Sequence, residues 1–295
     1  MFDRIFANFL LEQGKLTEQS LNEIFDIQDS KRVRLGVIAV SEKLMTIEQV
    51  EEVNQLQAIL DKRFGDIAIE KGYLNNEQVG RLLVLQGNSY LAFVQSAIDG
   101  GYITMDEIEQ QLVKYQEVNN FTLSNIEDLK SCDINRIIPI FLYSQPELIR
   151  ELAGVIVRTI VRLVDFHAYI KKPSVVSEYD YSVICSQGIG GDHSFLTAFS
   201  ADSIDSLRNI AVSFAGAENI TCSEDIVDAL CELVNCVNGL YASDMSNREV
   251  DIDMDAPFGS LEAGSVKADN ILVLPLVICQ NQVNLLLTLD QKYTI

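Results

Sequence analysis

The chain has no tryptophan, two histidines, five prolines and no Cys-x-x-Cys pair among its six cysteines. His167 and His193 stand in no arrangement that would pair either with a nucleophile and an orienting third group, so a hydrolase with its own nucleophile is poorly supplied. Cys132, Cys185, Cys222, Cys231, Cys236 and Cys279 fall singly inside apolar stretches, which argues against zinc and against a dithiol redox motif. They read as reduced, mostly buried thiols of a cytoplasmic protein. Positive charge is scarce as well: 22 Lys and Arg face 43 Asp and Glu, for a net charge of −21. DNA, RNA and anionic membranes need a basic face, so none of these suits the chain as a partner. A small anion held by two or three local arginines stays compatible. No apolar run reaches the ~18 residues of a membrane span, and the longest apolar stretch, 271–279, is interrupted by Pro275 and reads as a buried strand. The opening Met1-Phe2-Asp3-Arg4 brings an acid too early for a secretory signal. No Walker loop is present, so nothing points to a resident nucleotide hydrolase.

What the chain does have is length and regularity. With 295 residues, 48% of them hydrophobic, two separate cores are affordable. Gly14-Lys15-Leu16-Thr17, Lys43-Leu44-Met45-Thr46, Gly72-Tyr73-Leu74-Asn75 and Gly101-Tyr102-Ile103-Thr104 recur at a step of 29 residues. Leu21, Val50, Val79 and Ile108 follow at one fixed offset, and Gln28, Gln57, Gln86 and Tyr115 at another. Thr17, Thr46, Asn75 and Thr104 suit the N-cap of a second helix in each copy. Residues 1–117 are therefore predicted to form an all-α domain of four helical hairpins.

The two middle copies carry a further pattern, Arg34-Leu35-Gly36-Val37-Ile38-Ala39-Val40 and Arg63-Phe64-Gly65-Asp66-Ile67-Ala68-Ile69, closing at Gln57 and Gln86 with the spacer 58–62 between them. This resembles the tandem motif of the MshE N-terminal domain, a cyclic di-GMP-binding module of type II secretion and pilus ATPases. The resemblance implies a cyclic di-GMP site at Arg34, Leu35, Gly36, Gln57, Arg63, Phe64, Gly65, Asp66 and Gln86. Arginines would pair with phosphates, glycines would admit backbone N–H groups, glutamines would bond ligand edges and Asp66 would accept from guanine donors. Lys43 replaces a motif glycine, and Ala39, Ala68, Asn54 and Phe64 replace aliphatic positions. The competing reading is a degenerate repeat kept for packing, as the outer copies without Arg-x-Gly must be.

Residues 118–145 read as a connector, broken at Pro139 but too apolar at Ile137, Ile138, Ile140 and Phe141 to float free. Pro146 suits the first turn of a helix over 147–169. Strands are expected at 175–185 and 194–200, joined by a turn at Gly188-Ile189-Gly190-Gly191-Asp192, because no helix follows that would make this a phosphate cradle. A helix at 201–215, a second helix opened by Thr221 or Ser223 with Glu224 as capping partner, and strands at 250–254, 271–279 and 282–289 complete residues 146–295. The whole chain is thus α+β, with an α/β sandwich-layer C-terminal domain.

In that second helix Asp228, Glu232, Asn235 and Gly239 form one stripe by their four-three spacing. Ile226, Leu230, Leu233, Val237 and Leu240 form an apolar stripe roughly 200° away. An acid and an amide on an exposed face can hold and orient water beside a group that the protein does not itself activate. The spacing resembles the signature of the CheC/CheX chemotaxis phosphatases. Pro257 follows after 21 intervening residues, one fewer than in that family.

The resemblance implies dephosphorylation of a response-regulator aspartyl phosphate, with Asn235 orienting water, Glu232 pairing with the partner's lysine, and Asp228 and Gly239 shaping the docking surface. Mg²⁺ would belong to the partner receiver domain, the chain itself needing no cofactor; relatives with one such helix often pair as homodimers. Cyclic di-GMP on 34–86 would regulate access to the helix. The alternatives are a non-catalytic cyclic di-GMP receptor or adaptor, or a plain solvated helix face. Any catalytic reading requires Asn235 and Glu232 to lie outside the core.

Overall fold

The computed structural model describes residues 1–30, 34–60, 63–85 and 87–295. They divide into two compact units, residues 2–132 and 133–295, so the division falls inside the stretch read as a connector.

In the first unit the 29-residue step has a backbone cause. Gly14, Lys43, Gly72 and Gly101 all take left-handed backbone, with φ of 66°, 56°, 73° and 70°. Two residues beyond each, Leu16, Met45, Leu74 and Ile103 are buried. Glycine enters this conformation without a Cβ penalty; Lys43 does so at a cost of about 1–2 kcal/mol. The helices are α1 (Phe2–Glu12), α2 (Glu18–Ser30), α3 (Leu35–Ser41), α4 (Ile47–Leu60), α5 (Phe64–Glu70), α6 (Asn76–Leu85), α7 (Ser89–Asp99), α8 (Met105–Asn119) and α9 (Leu123–Lys130). Tyr73 donates its hydroxyl proton to Glu52, and Tyr102 does the same to Glu23. Ile38, Met45, Val53, Phe64, Ile67, Leu74 and Leu82 form one core, while Phe2 and Phe6 meet Tyr90 and Tyr115 in tilted and edge-on ring contacts in another part of the unit.

The second unit contains α10 (Ile134–Phe141), α11 (Glu147–Leu163), β1 (Tyr169–Ile170), β2 (Ser174–Tyr181), β3 (Val183–Gly191), β4 (Phe195–Ala201), α12 (Asp205–Ala215), α13 (Ser223–Ser246), β5 (Ile252–Met254), β6 (Phe258–Ser260), β7 (Gly264–Ile278) and β8 (Asn281–Leu289). The strands form one antiparallel sheet in the order β1-β7-β8-β4-β3-β5, with β2 also on β7 and β6 also on β3. Side chains alternate across it. On one face Cys185, Gln187 and Phe195 meet α13; on the other Tyr181, Ile184, Leu196, Val266, Ile271 and Leu286 make a separate core under the folded-back β2.

Several elements differ from the sequence reading, each for a visible reason. The stretch 175–185 is two strands with different partners, β2 on β7 and β3 on β4. Gly188–Gly191 belong to β3 and not to a turn, which lies just beyond them; a Cβ on Gly188 would overlap Asp255 Oδ2 and Tyr293 Oη, so that glycine serves close approach. The helix from Glu147 stops at Leu163, where Asp165 takes over: its carboxylate accepts from His167 N at 2.8 Å and from Cys279 N at 2.6 Å. Strand β7 begins at Gly264, well before the apolar run, because its first half is a solvated strand whose Lys267 pairs with Glu178. Pro139 sits inside α10. Of the cysteines only Cys185 is buried, and Cys222 is exposed.

Candidate functional site

The site is built on α13, and the first question is what starts that helix. Thr221, Ser223 and Glu224 do not form the cap; Cys222 is the N-cap and Asp225 the partner. The Asp225 carboxylate accepts from Thr221 Oγ1 at 2.6 Å, Thr221 N at 2.7 Å and Cys222 N at 2.9 Å. These donors, the Thr221 hydroxyl foremost, hold its carboxyl well below the usual aspartate range. Ile226, Leu230, Leu233 and Val237 are then buried, each stabilising the packed helix by about 1.5–3 kcal/mol. Leu240 departs from the expected stripe: it is 41% exposed, and Tyr241 fills the buried position, its ring edge-on to Phe195.

Asp228 and Glu232 lie exposed on the opposite face, Asn235 and Gly239 at its half-buried border. Two carboxylates four residues apart on a helix repel by about 0.2–0.5 kcal/mol. Among the described residues neither meets a cation, whereas the neighbouring acids Asp244 and Glu151 both hold Arg248. The pair thus costs the helix a little and returns nothing to it.

Asn235 is not simply dangling at that border. Its Oδ1 accepts from Gln187 Nε2 at 2.9 Å. The second Gln187 Nε2 proton goes to the backbone carbonyl of Asp255 at 2.7 Å, and Gln187 Oε1 accepts from Asn238 Nδ2 at 2.8 Å. Gln187 and Asn238 are both buried. Asp255 lies in the loop that carries Pro257, between β5 and β6, and its own N–H donates to Gly188 O at 3.0 Å. The proline noted in the sequence therefore stands two residues beyond the carbonyl that shares the Gln187 amide with the asparagine. Sequence reading missed Gln187 entirely; the one available signal was a polar residue in the strand run Val183-Ile184-Cys185, where an unsatisfied carboxamide would cost about 1–3 kcal/mol.

Cys231, one residue before Glu232, neighbours Cys185, whose thiol donates to Val227 O at 3.7 Å. The interaction with Cys185 lowers the Cys231 thiol from its ordinary value, while the interaction with Cys231 and burial push Cys185 up. Gly259 makes room for this contact: a Cβ there would overlap Val227 and come within 3.0 Å of Cys231 Sγ. Among the described residues no cluster of His, Cys, Asp and Glu could hold a metal ion, and no described helix is long and apolar enough to cross a membrane.

The expected nucleotide residues lie in the first unit. Arg34 and Arg63 take the same place, N-cap of α3 and of α5, with extended backbone and no side-chain cap, and both are exposed, as is Asp66. Leu35 is half-buried and Phe64 buried. Gly36 and Gly65 present their bare faces to helix packing: a Cβ would come within 2.5 Å of Val50 Cγ1 and 2.8 Å of Val79 Cγ1 respectively. Gln57 belongs to α4 but its side chain, like all of Gln86, lies outside the described residues. Beside Gly36 opens a cleft of about 450 Å³ lined by Val37, Ile47, Val50, Leu91 and Met105, with Glu51 and Gln95 as its polar members.

The chain matches no family model and no curated protein. Solved structures similar to it cover about half its length. A chemotaxis protein CheX from Desulfovibrio desulfuricans is 12% identical, matches 49% of this chain and 100% of its own, and superposes with a TM-score of 0.42. CheX from Vibrio vulnificus is 16% identical, with 49% and 100% coverage and the same TM-score. A chain of a CheX–CheY–BeF3–Mg²⁺ complex from Borrelia burgdorferi is 12% identical, with 50% and 99% coverage and a TM-score of 0.38.

Proposed function

We propose that the C-terminal unit is a phosphatase acting on the aspartyl phosphate of a response-regulator receiver domain. The reading is carried by one observation: Asn235 is tethered from the inside by Gln187 and is still half-exposed, beside a Glu232 carboxylate that meets no cation among the described residues. The motif spacing Asp228, Glu232, Asn235 supports the same chemistry. Water attacks phosphorus in line, the bond from phosphorus to the aspartyl oxygen breaks, and inorganic phosphate and the free carboxylate leave. Mg²⁺ and the acyl phosphate belong to the partner. A neutral amide does not remove the proton; it restricts the water to the attacking geometry, a contribution on the order of 10²–10³ in rate for one well-placed group. Glu232 is free to pair with a lysine of the receiver, and Gly239, with Met254 Cε 3.9 Å from where a Cβ would stand, leaves a low point for the partner's backbone. The test is turnover: catalytic amounts of the protein mixed with a phosphorylated receiver domain should accelerate phosphate release. An unchanged decay rate would exclude the enzyme.

A second reading, a cyclic di-GMP receptor whose C-terminal unit binds partners without turnover, is favoured by the equivalent and exposed placement of Arg34 and Arg63. The same ligand is the proposed regulator of the phosphatase. Calorimetric titration with cyclic di-GMP, with Arg63→Ala as control, tests this; no heat at high micromolar nucleotide removes both the receptor and the regulation.

A further inference from the structure

The amides of Gln187, Asn235 and Asn238 form a chain, and an amide chain can run in either direction, since carbonyl and amino ends have nearly the same shape. What breaks the tie here is a group that cannot turn round. The Asp255 backbone carbonyl, 2.7 Å from Gln187, only accepts. Gln187 must therefore aim Nε2 at it, and the same Nε2 aims its other proton at Asn235. Asn238, donating to Gln187 Oε1, agrees with that direction. Reversing Gln187 would set two acceptors against each other at Asp255.

Resting on the phosphatase reading, we propose that Gln187 is the positioning residue for Asn235: it fixes the catalytic amide with its carbonyl tied inward and its Nδ2 protons turned toward the substrate, the direction being dictated by the Asp255 carbonyl. The consequence for the chemistry is specific. Asn235 offers two N–H donors and a single remaining lone pair, so its main work is donating, to the attacking water's oxygen or to a phosphoryl oxygen. The proton leaving the water goes to the phosphoryl group or to solvent. A single neutral contact from a buried strand thus decides which end of the amide the receiver meets, and the backbone carbonyl of Asp255, in the loop bearing Pro257, sets the direction of that contact.

The experiment compares wild type, Gln187→Leu, Gln187→Glu, Asn235→Ala and Gln187→Leu/Asn235→Ala in the full chain. For Gln187→Leu the expected result is a kcat on phosphorylated receiver lower by about 10–100-fold, with KM and the affinity for a beryllofluoride-loaded receiver unchanged. The double variant should be no slower than Asn235→Ala alone, because Gln187 acts only through that side chain. Gln187→Glu keeps the shape but sets an oxygen against both the Asp255 carbonyl and Asn235 Oδ1; the carbonyl cannot turn round, whereas the asparagine can reverse and donate to the carboxylate. Its side-chain NH2 resonances should then show slower exchange with water than in the wild type, a readout independent of activity; a loss of stability would speed exchange instead, so slowing is not mistaken for it. Wild-type turnover with Gln187→Leu within about threefold of it, additive losses in the double variant, or unchanged Asn235 exchange in Gln187→Glu would each overturn the positioning role. A wild type without turnover removes the phosphatase reading itself, whereas the exchange measurement still reports whether the amide chain runs as described.

Discussion

The two motif-bearing regions differ in what their motif residues are bonded to. In the first unit Gly36 and Gly65 are consumed by packing, one against Val50 and the other against Val79, as the repeat itself requires. On α13 the reverse holds. Asp228 and Glu232 bond to nothing described, and Asn235 is held by a residue from a distant strand. Regular spacing in a sequence is thus evidence of a role only after the role of packing has been subtracted, and the two regions come out of that subtraction differently.

The comparison is most exposed to Asn235→Ala. If α13 is the working face, phosphate release from a phosphorylated receiver should fall on the order of 10²–10³-fold with binding retained; a rate near wild type would make the C-terminal stripe no more functional than the repeat glycines. Next in size is Gly36→Ala. A methyl group within 2.5 Å of Val50 Cγ1, with Phe64 at 3.2 Å, forces the helices apart, and the first unit should lose about 1–3 kcal/mol in denaturant unfolding. Gly65→Ala, meeting only Val79, should cost less, and equal or negligible losses would contradict the packing role. Smaller again, and of opposite sign, is Gly239→Ala. Its Cβ meets nothing nearer than Met254 at 3.9 Å, so the substitution should stabilise α13 by about 0.5–1 kcal/mol through helix propensity. Affinity for the receiver should fall at the same time if a partner backbone docks there; titration calorimetry on the variant separates these two effects.

The smallest effect concerns the two thiols under the site. The neighbouring Cys185 thiol holds Cys231 below the ordinary thiol value of about 8.5, while its contact with Cys231 and its burial hold Cys185 above it. Alkylation followed by mass spectrometry over a rising pH series should label Cys231 before Cys185, with its midpoint on the acid side of a free cysteine. Labelling of Cys185 first would mean that the contact between α13 and β3 is misdescribed.

Much of this was legible from residue order. The 29-residue step from Gly14 to Gly101 is visible in the chain because each turn needs left-handed backbone and each following anchor needs an apolar side chain, and both requirements are local. The burial of Ile226, Leu230, Leu233 and Val237 against the exposure of Asp228 and Glu232 was legible for the same reason, helical periodicity. Leu240 was misread because the stripe drifts as the helix lengthens, so that Tyr241 takes the inward place. Cys222 and Asp225 were missed because several residues around 221–225 can cap, and only the approach of the chain selects among them. The strand break at Ser182 and the early start of β7 were hidden because polar and charged residues alternate on a solvated edge as they do in a loop.

The order of amino acids determined that α13 would be a helix with an acid–amide stripe, since one helix obeys one period wherever it is placed. It could not determine that Gln187, 48 positions from Asn235, would hold the asparagine, or that the carbonyl of Asp255 would orient both. Those relations arise only when β3, the 255–257 loop and α13 are brought together, because a hydrogen bond depends on distance and direction in space and leaves no periodic trace along the chain.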